Sequence, residues 1–250
     1  AAATSGAVYA KPDLDLAPSF ESLDLTTVLR ICPPKVQLPT PDDERCTSNT
    51  AESIAATQKM QLYTEPFWAL VELRNNTKDD RIYVLEHLLA ITERVAVEEL
   101  SDKAAAIKVA GEGASVYARD YRAPLPAYRL QFKAGETKIL RISIRSDLVT
   151  RMGFTLHSER HYIDELQVTN VLHAGFYGLM FSMILFNLLL YLRLRLRMYL
   201  YYVLFIMSIS VMYMGLFGHG FAFIWPDAFL WQKYSHSAAK FTAAIFGIAF

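Results

Sequence analysis

The hydrophobic pattern changes its period partway along the chain. In "FWALVELR", Phe67, Ala69, Val71 and Leu73 alternate with Trp68, Leu70, Glu72 and Arg74, the period-two mark of a strand with one buried face. "NNTKDD" follows with turn residues. "RIYVLEHLL", "ITERVAVEEL" and "GEGASVYARDY" read as further strands. "AYRLQFKAGETKILRISIRS" reads as a hairpin turning at Ala134-Gly135, and "MGFTLHSER" as a last strand. Many short strands between about residues 61 and 165 predict a β-sandwich or jelly roll. Residues 1–60 show little pattern. "SFESLDLTTVLR" suggests a short helix with Ser22 as a cap, but the prolines of "RICPPKVQLPTPDDERC" exclude a helix or a central strand there. They read as an irregular lead-in.

Beyond residue 170 the alternation gives way to continuous apolar sequence. Val171 to Leu192 holds no acid, lysine or arginine, and Met198 to Gly218 is also free of them. Each run meets the ~20 residues a helix needs to cross ~30 Å of hydrocarbon. A third run begins near Ala238 and is cut off at Phe250. The fold class expected is β plus membrane α: a sandwich at 61–165, then a truncated transmembrane bundle at 170–250. Its helices are placed at 171–192, 198–218 and 238–250.

Charge sharpens the division. Of the 250 residues, Lys plus Arg total 25 and Asp plus Glu total 25, a balance that gives no pull toward nucleic acid. No glutamate follows Glu165, and the only later acid is Asp227. Between the first two spans lie Arg193, Arg195 and Arg197. Each would cost about 2.5–3.5 kcal/mol at a bilayer centre, so this stretch is a tight turn among lipid headgroups. Short arginine-rich loops stay in the cytoplasm, which puts the sandwich outside it. Trp225 and Trp231 then serve as interface anchors on the outer side. Val8-Tyr9-Ala10 suits signal peptidase, so the N-terminus reads as a signal-peptide remnant. In an oxidising compartment Cys32 and Cys46 can close a short loop, stabilising by about 3 kcal/mol.

The order of these segments resembles the bacterial seven-transmembrane receptors with diverse intracellular signalling modules. "FWALVELRNNT" and "AGETKILRISIRS" resemble strands of that family's extracytoplasmic jelly-roll domain. Gly175, Gly178 and "FNLLLYL" resemble its first span, and Arg197, Tyr199 and Tyr202 the hairpin that follows that span. Gly215, Gly218 and Gly220 fit the glycines ending its second helix. The likeness covers about residues 65–235. Phe186 stands where the family usually has tyrosine, and the proline-cysteine insert at 32–46 is unusual. The resemblance implies a receptor in the bacterial inner membrane, with a small-molecule ligand, carbohydrate among the candidates. It also implies a cytoplasmic output module in cis, such as a cyclic-nucleotide synthase, histidine kinase or phosphatase.

The residues offer few sites. Tyr117, Arg119, Tyr121, Arg122, Tyr128 and Arg129 interleave aromatic and cationic groups and, with Trp68, form the candidate ligand surface. The competing reading is a solvated strand face with cross-strand aromatic pairs. His157 and His161 would share a helix face but lie about 13 Å apart on a strand. A strand is what the pattern predicts there, so no metal is assigned, and Glu159 falls one place late for the zinc-protease pattern. His173 falls at a membrane interface. Asn187, inside the first span, is expected to hydrogen-bond between helices, and Gly175 and Gly178 to admit a close neighbour. No cofactor motif occurs.

Two other functions compete with a ligand-sensing receptor. A membrane enzyme would have to use Asp227, His219 and His236. An adaptor would use the sandwich to dock a protein. The expected partners are membrane lipid, the small ligand and the module in cis, with a homodimer as a further arrangement.

Overall fold

The computed structural model describes residues 13–33, 38–41, 43–48, 50–100 and 107–250, without the side chains of 51–54. The signal-peptide reading at Val8-Tyr9-Ala10 lies outside the described residues. The strands are β1 (Leu14–Leu16), β2 (Ser22–Asp24), β3 (Arg30–Ile31), β4 (Gln61–Asn75), β5 (Arg81–His87), β6 (Arg94–Glu99), β7 (Lys108–Ala110), β8 (Ala127–Phe132), β9 (Thr137–Thr150) and β10 (Phe154–Ser158). A short helix α1 (Ala51–Gln58) precedes β4. Three long helices close the chain: α2 (Glu159–Leu194), α3 (Arg197–Leu216) and α4 (Phe229–Ala249).

The strands form two sheets. The larger runs β1-β4-β9-β6-β7, with β3 also on β4, and the smaller runs β2-β10-β5-β8. Among the described residues only β1 pairs in parallel, lying beside β4 from Leu14 opposite Leu73. Alternation builds the core. Phe67, Ala69, Val71 and Leu73 of β4 and Leu140, Ile142 and Ile144 of β9 face inward from the large sheet. Tyr83, Leu85, Leu130, Phe132, Phe154 and Leu156 meet them from the small one. The sandwich is therefore present as the strand pattern predicts.

Three expectations change. The lead-in supplies β1, β2 and β3 rather than only irregular chain; strands of two or three residues are too short to carry a period. The turn at Gly135 forms with φ +69°, but β8 pairs with β5 while β9 pairs with β4 and β6. That turn crosses between sheets instead of closing a hairpin. "GEGASVYARDY" is a loop with one 3-10 turn at Val116–Ala118, not a strand.

β10 passes directly into α2. Ser158 caps the helix, its hydroxyl accepting from the His161 N–H. At 1.5 Å per residue, these 36 residues reach about 54 Å, more than a bilayer core requires. Its first turns are thus a stalk packed on the sandwich. α2 and α3 are each long and apolar enough to cross a membrane. Between them Arg195 adopts the left-handed conformation at φ 57°, giving the tight turn expected, and Arg193, Arg195 and Arg197 are all exposed. α3 packs on α2 through Phe176 and Tyr213, whose rings meet edge to face at 5.5 Å. It packs on α4 where Gly215 lies against Ser235 and His236. α4 starts at Phe229, nine residues before Ala238, because polar positions such as Gln232 and Ser235 are buried in protein rather than exposed.

Candidate functional site: a groove on the large sheet and a junction with the helices

The large sheet's outer face carries a groove of about 210 Å³ lined by Trp68, Arg94, Glu98, Arg141 and Arg145, among others. Cross-strand register assembles it. Trp68 of β4 lies opposite Ser143 of β9, which lies opposite Ala96 of β6. Arg141 is committed: it pairs with Glu98, donates to Pro39 O at 3.1 Å, and stacks over Trp68 at 5.7 Å. Arg94 and Arg145 are directly opposite each other. Both are exposed, and neither forms an ion pair among the described residues. Like charges placed so repel, and a bound anion would relieve them. The Cys32–Cys46 disulfide is formed and packs on Leu70 beside Trp68. The unusual insert therefore supports the groove from behind, through Trp68 and through Pro39 O, which holds Arg141.

The other predicted ligand residues lie elsewhere. Tyr128 is core, its hydroxyl donating to Val95 O at 2.8 Å. Tyr121 donates to Glu159 at 2.8 Å and Arg129 to the same oxygen at 3.2 Å. Both hold the first turn of α2, where Tyr162 and Leu166 pack on Val84, Ala123 and Ala127 of the small-sheet side. Arg122 donates to Ala222 O at 2.8 Å and lies over the rings of Tyr117 and Phe223. Arg119 donates to Gly111 O and Ala123 O and lies over Phe221. Trp68 is thus the one member of the predicted set that lines the groove. The rest are absorbed by the core or by contacts with the helices, because loop 111–125 folds down instead of continuing a sheet.

This second surface is a junction between the sandwich and the α3–α4 loop. Asp227 accepts from Ser115 Oγ and Val116 N, each at 2.8 Å. Gly218 has φ +79°, and a Cβ there would lie 2.2 Å from Pro124 O, so glycine is required by both torsion and space. Gln232, fully buried, donates to Glu112 Oε1 and Gly215 O and accepts from Trp225 Nε1, all at 3.0 Å. Burial pushes the Glu112 carboxyl up to about 7, against smaller opposing effects of Gln232 and Lys233. Lys233 reaches Asp147 at 2.8 Å.

The remaining singled-out residues divide. His173 and His219 lie with their rings tilted by 35° and 4.4 Å apart, between α2 and the α3–α4 loop. Asp227 is spent on Ser115 and Val116, and His236 lies against Gly215, so the trio a membrane enzyme would need does not converge. Asn187 donates back to Met183 O at 2.9 Å on its own helix. The interhelix bond expected of it is not formed among the described residues. A side chain able to reach the carbonyl four residues back satisfies itself locally. Nothing lies within 4 Å of a Cβ built at Gly175 or Gly178, so these glycines admit no close neighbour here. His157 and His161 are not 13 Å apart: the chain turns from strand to helix between them, and their rings stack at 5.9 Å.

Sequence reasoning missed Arg94 and Arg145. Both stand at outward positions of alternating strands, but only the register of β6 on β9 makes them neighbours.

Residues 169–250 match the model of the family described as 7TM diverse intracellular signalling. This span takes in most of α2 and all of α3 and α4. No curated protein matches the chain. The helical part is thus similar to a signalling receptor's membrane region, and a two-sheet β-domain precedes it.

Proposed function

We propose that this chain is the input module of a transmembrane receptor. Its sandwich binds an anionic small molecule outside the cytoplasm, and the helices pass the change to a cytoplasmic output module in cis. The observation that carries this reading is the unpaired Arg94–Arg145 pair beside Trp68. Two guanidinium groups suit a carboxylate, and an indole suits the apolar face of a sugar ring. A sugar acid combines both. The relay has a physical route, since loop 111–125 and the first turns of α2 join the sandwich to the helices through hydrogen bonds and apolar packing. A ligand shifts the bundle only as far as its affinity differs between two arrangements of that junction.

The orientation follows from charge. The sandwich meets the α3–α4 loop at one end of the bundle, and the exposed arginine turn lies at the other. Arginine in short loops favours the cytoplasmic side, so the sandwich is assigned to the periplasmic side of the inner membrane. The parts of α2 left open around Gly175 and Gly178 are available to the further spans that a seven-helix family implies. Catalysis is assigned to the output module rather than to these residues.

The test uses the purified chain in detergent. Glucuronate should raise its melting temperature and glucose should not, and Arg145→Ala should reduce the response. Equal shifts by both sugars, or an unchanged response in Arg145→Ala, would overturn the anion reading. A cysteine placed at position 195 should resist impermeant thiol reagents in intact cells; labelling there would reverse the orientation.

A further inference from the structure

The joint where β10 becomes α2 holds a second, unrelated cluster. His157 is the penultimate residue of β10, while His161 and Glu165 stand one helical turn apart on α2. The donor atoms of the three lie within 4.8 Å of one another. His157 Nδ1 and His161 Nε2 are 3.5 and 3.6 Å from Glu165 Oε2. Four donors around a tetrahedral zinc at ~2.0–2.1 Å are roughly 3.3 Å apart, so a small contraction closes the set.

His157 supplies an independent reason to expect an occupant. It is 4% exposed, and neither ring nitrogen has a hydrogen-bond partner among the described residues. Buried polar atoms in folded proteins are nearly always satisfied, so an orphaned imidazole calls for an explanation. A metal ion on Nδ1 gives one. On the far side of the ring, Glu86 Oε2 of β5 lies 3.6 Å from Nε2. From there it is placed to accept the Nε2 proton, the carboxylate–histidine–metal arrangement that fixes the tautomer and strengthens the ligand. Glu165 and His161 are partly open to solvent, and Glu86 and Glu165 border a cleft of about 160 Å³, which leaves a path for the ion and a position for water.

We propose that His157, His161 and Glu165 bind a divalent transition-metal ion of the zinc, nickel or copper type. Two imidazoles and one carboxylate suit these ions and disfavour magnesium and calcium, which prefer oxygen alone. Because His157 belongs to the sandwich and the other two ligands to the membrane helix, the ion ties one to the other. Any metal bound only in this closed geometry stabilises it. The site lies on the small-sheet side, away from the Arg94–Arg145 groove, so it stands or falls independently of the anion reading.

Zinc alone is the first probe, titrated calorimetrically into the metal-free purified chain in detergent. One ion per chain is expected, with a rise in melting temperature. Cobalt should give the intense visible absorption of a tetrahedral site. His161→Ala and Glu165→Gln, both on the helix surface, should each weaken zinc binding at least tenfold while leaving the metal-free melting temperature and the glucuronate response unchanged. Where His161→Ala lowers the metal-free melting temperature, His161→Gln replaces it. Absence of zinc binding, binding that survives both variants, or equal competition by magnesium would overturn the site.

Discussion

On the large sheet Trp68, Arg94 and Arg145 stay open, whereas on the other side Tyr121, Arg129, Arg119 and Arg122 are engaged by α2 and the α3–α4 loop. The residue types are the same. What differs is what lies opposite. A guanidinium that meets a carboxylate or a helix-end carbonyl becomes part of the joint. One that faces another guanidinium across the strands, with no ion pair of its own among the described residues, remains a demand for an external anion. The richer aromatic-arginine segment in the sequence, 117–129, is therefore the structural one, and the sparser set spread over three strands is the better binding candidate.

The largest effect should come from filling the closest approach at the joint. Gly218→Val places a side chain against Pro124 O at a positive φ and should cost about 3 kcal/mol or more. Proteolysis of loop 111–125 should accelerate, while the groove keeps its glucuronate response; loss of both together would mean the two faces are not separable.

Acidity tests the same joint next. The docked Glu112 carboxyl titrates at about 7 instead of its ordinary 4.5. Docking then binds the proton, so its stabilisation is full below about pH 4.5 and fades as pH rises to about 7, by at most about 3 kcal/mol. Melting temperatures followed by tryptophan fluorescence across that window should show the trend, and Glu112→Gln should flatten it.

Asp227→Ala leaves Val116 N and Ser115 Oγ without their partner. A loss of about 1–3 kcal/mol is expected, read as lowered thermal stability with an unchanged strand signal in circular dichroism. Least in stability, though not in binding, is Arg145→Ala. Removing one of two facing like charges should leave the melting temperature unchanged or raise it by the equivalent of a few tenths of a kcal/mol. Glucuronate affinity should fall about tenfold by calorimetry. A clear destabilisation would show that Arg145 is structural after all.

The disulfide illustrates how far local reading extends. Two cysteines fourteen positions apart within a proline-rich stretch were enough to expect a bridge, yet its packing beside the groove depends on Leu70 and Trp68, which sit more than twenty residues away. The histidines show the reverse. Their spacing was plain, but the assumed strand geometry separated them, and one helix cap at Ser158 brings them together.

Solvent preference and period are properties of the chain itself. They determined a two-sheet β-domain, two apolar spans and the arginine turn between them, because burying alternate residues or crossing hydrocarbon leaves few other options. Register, the crossing of Gly135 between sheets, and the folding of loop 111–125 onto the helices were decided only in three dimensions. Each depends on contacts between residues far apart in sequence, and those contacts separate the arginines that hold the molecule together from those left to bind.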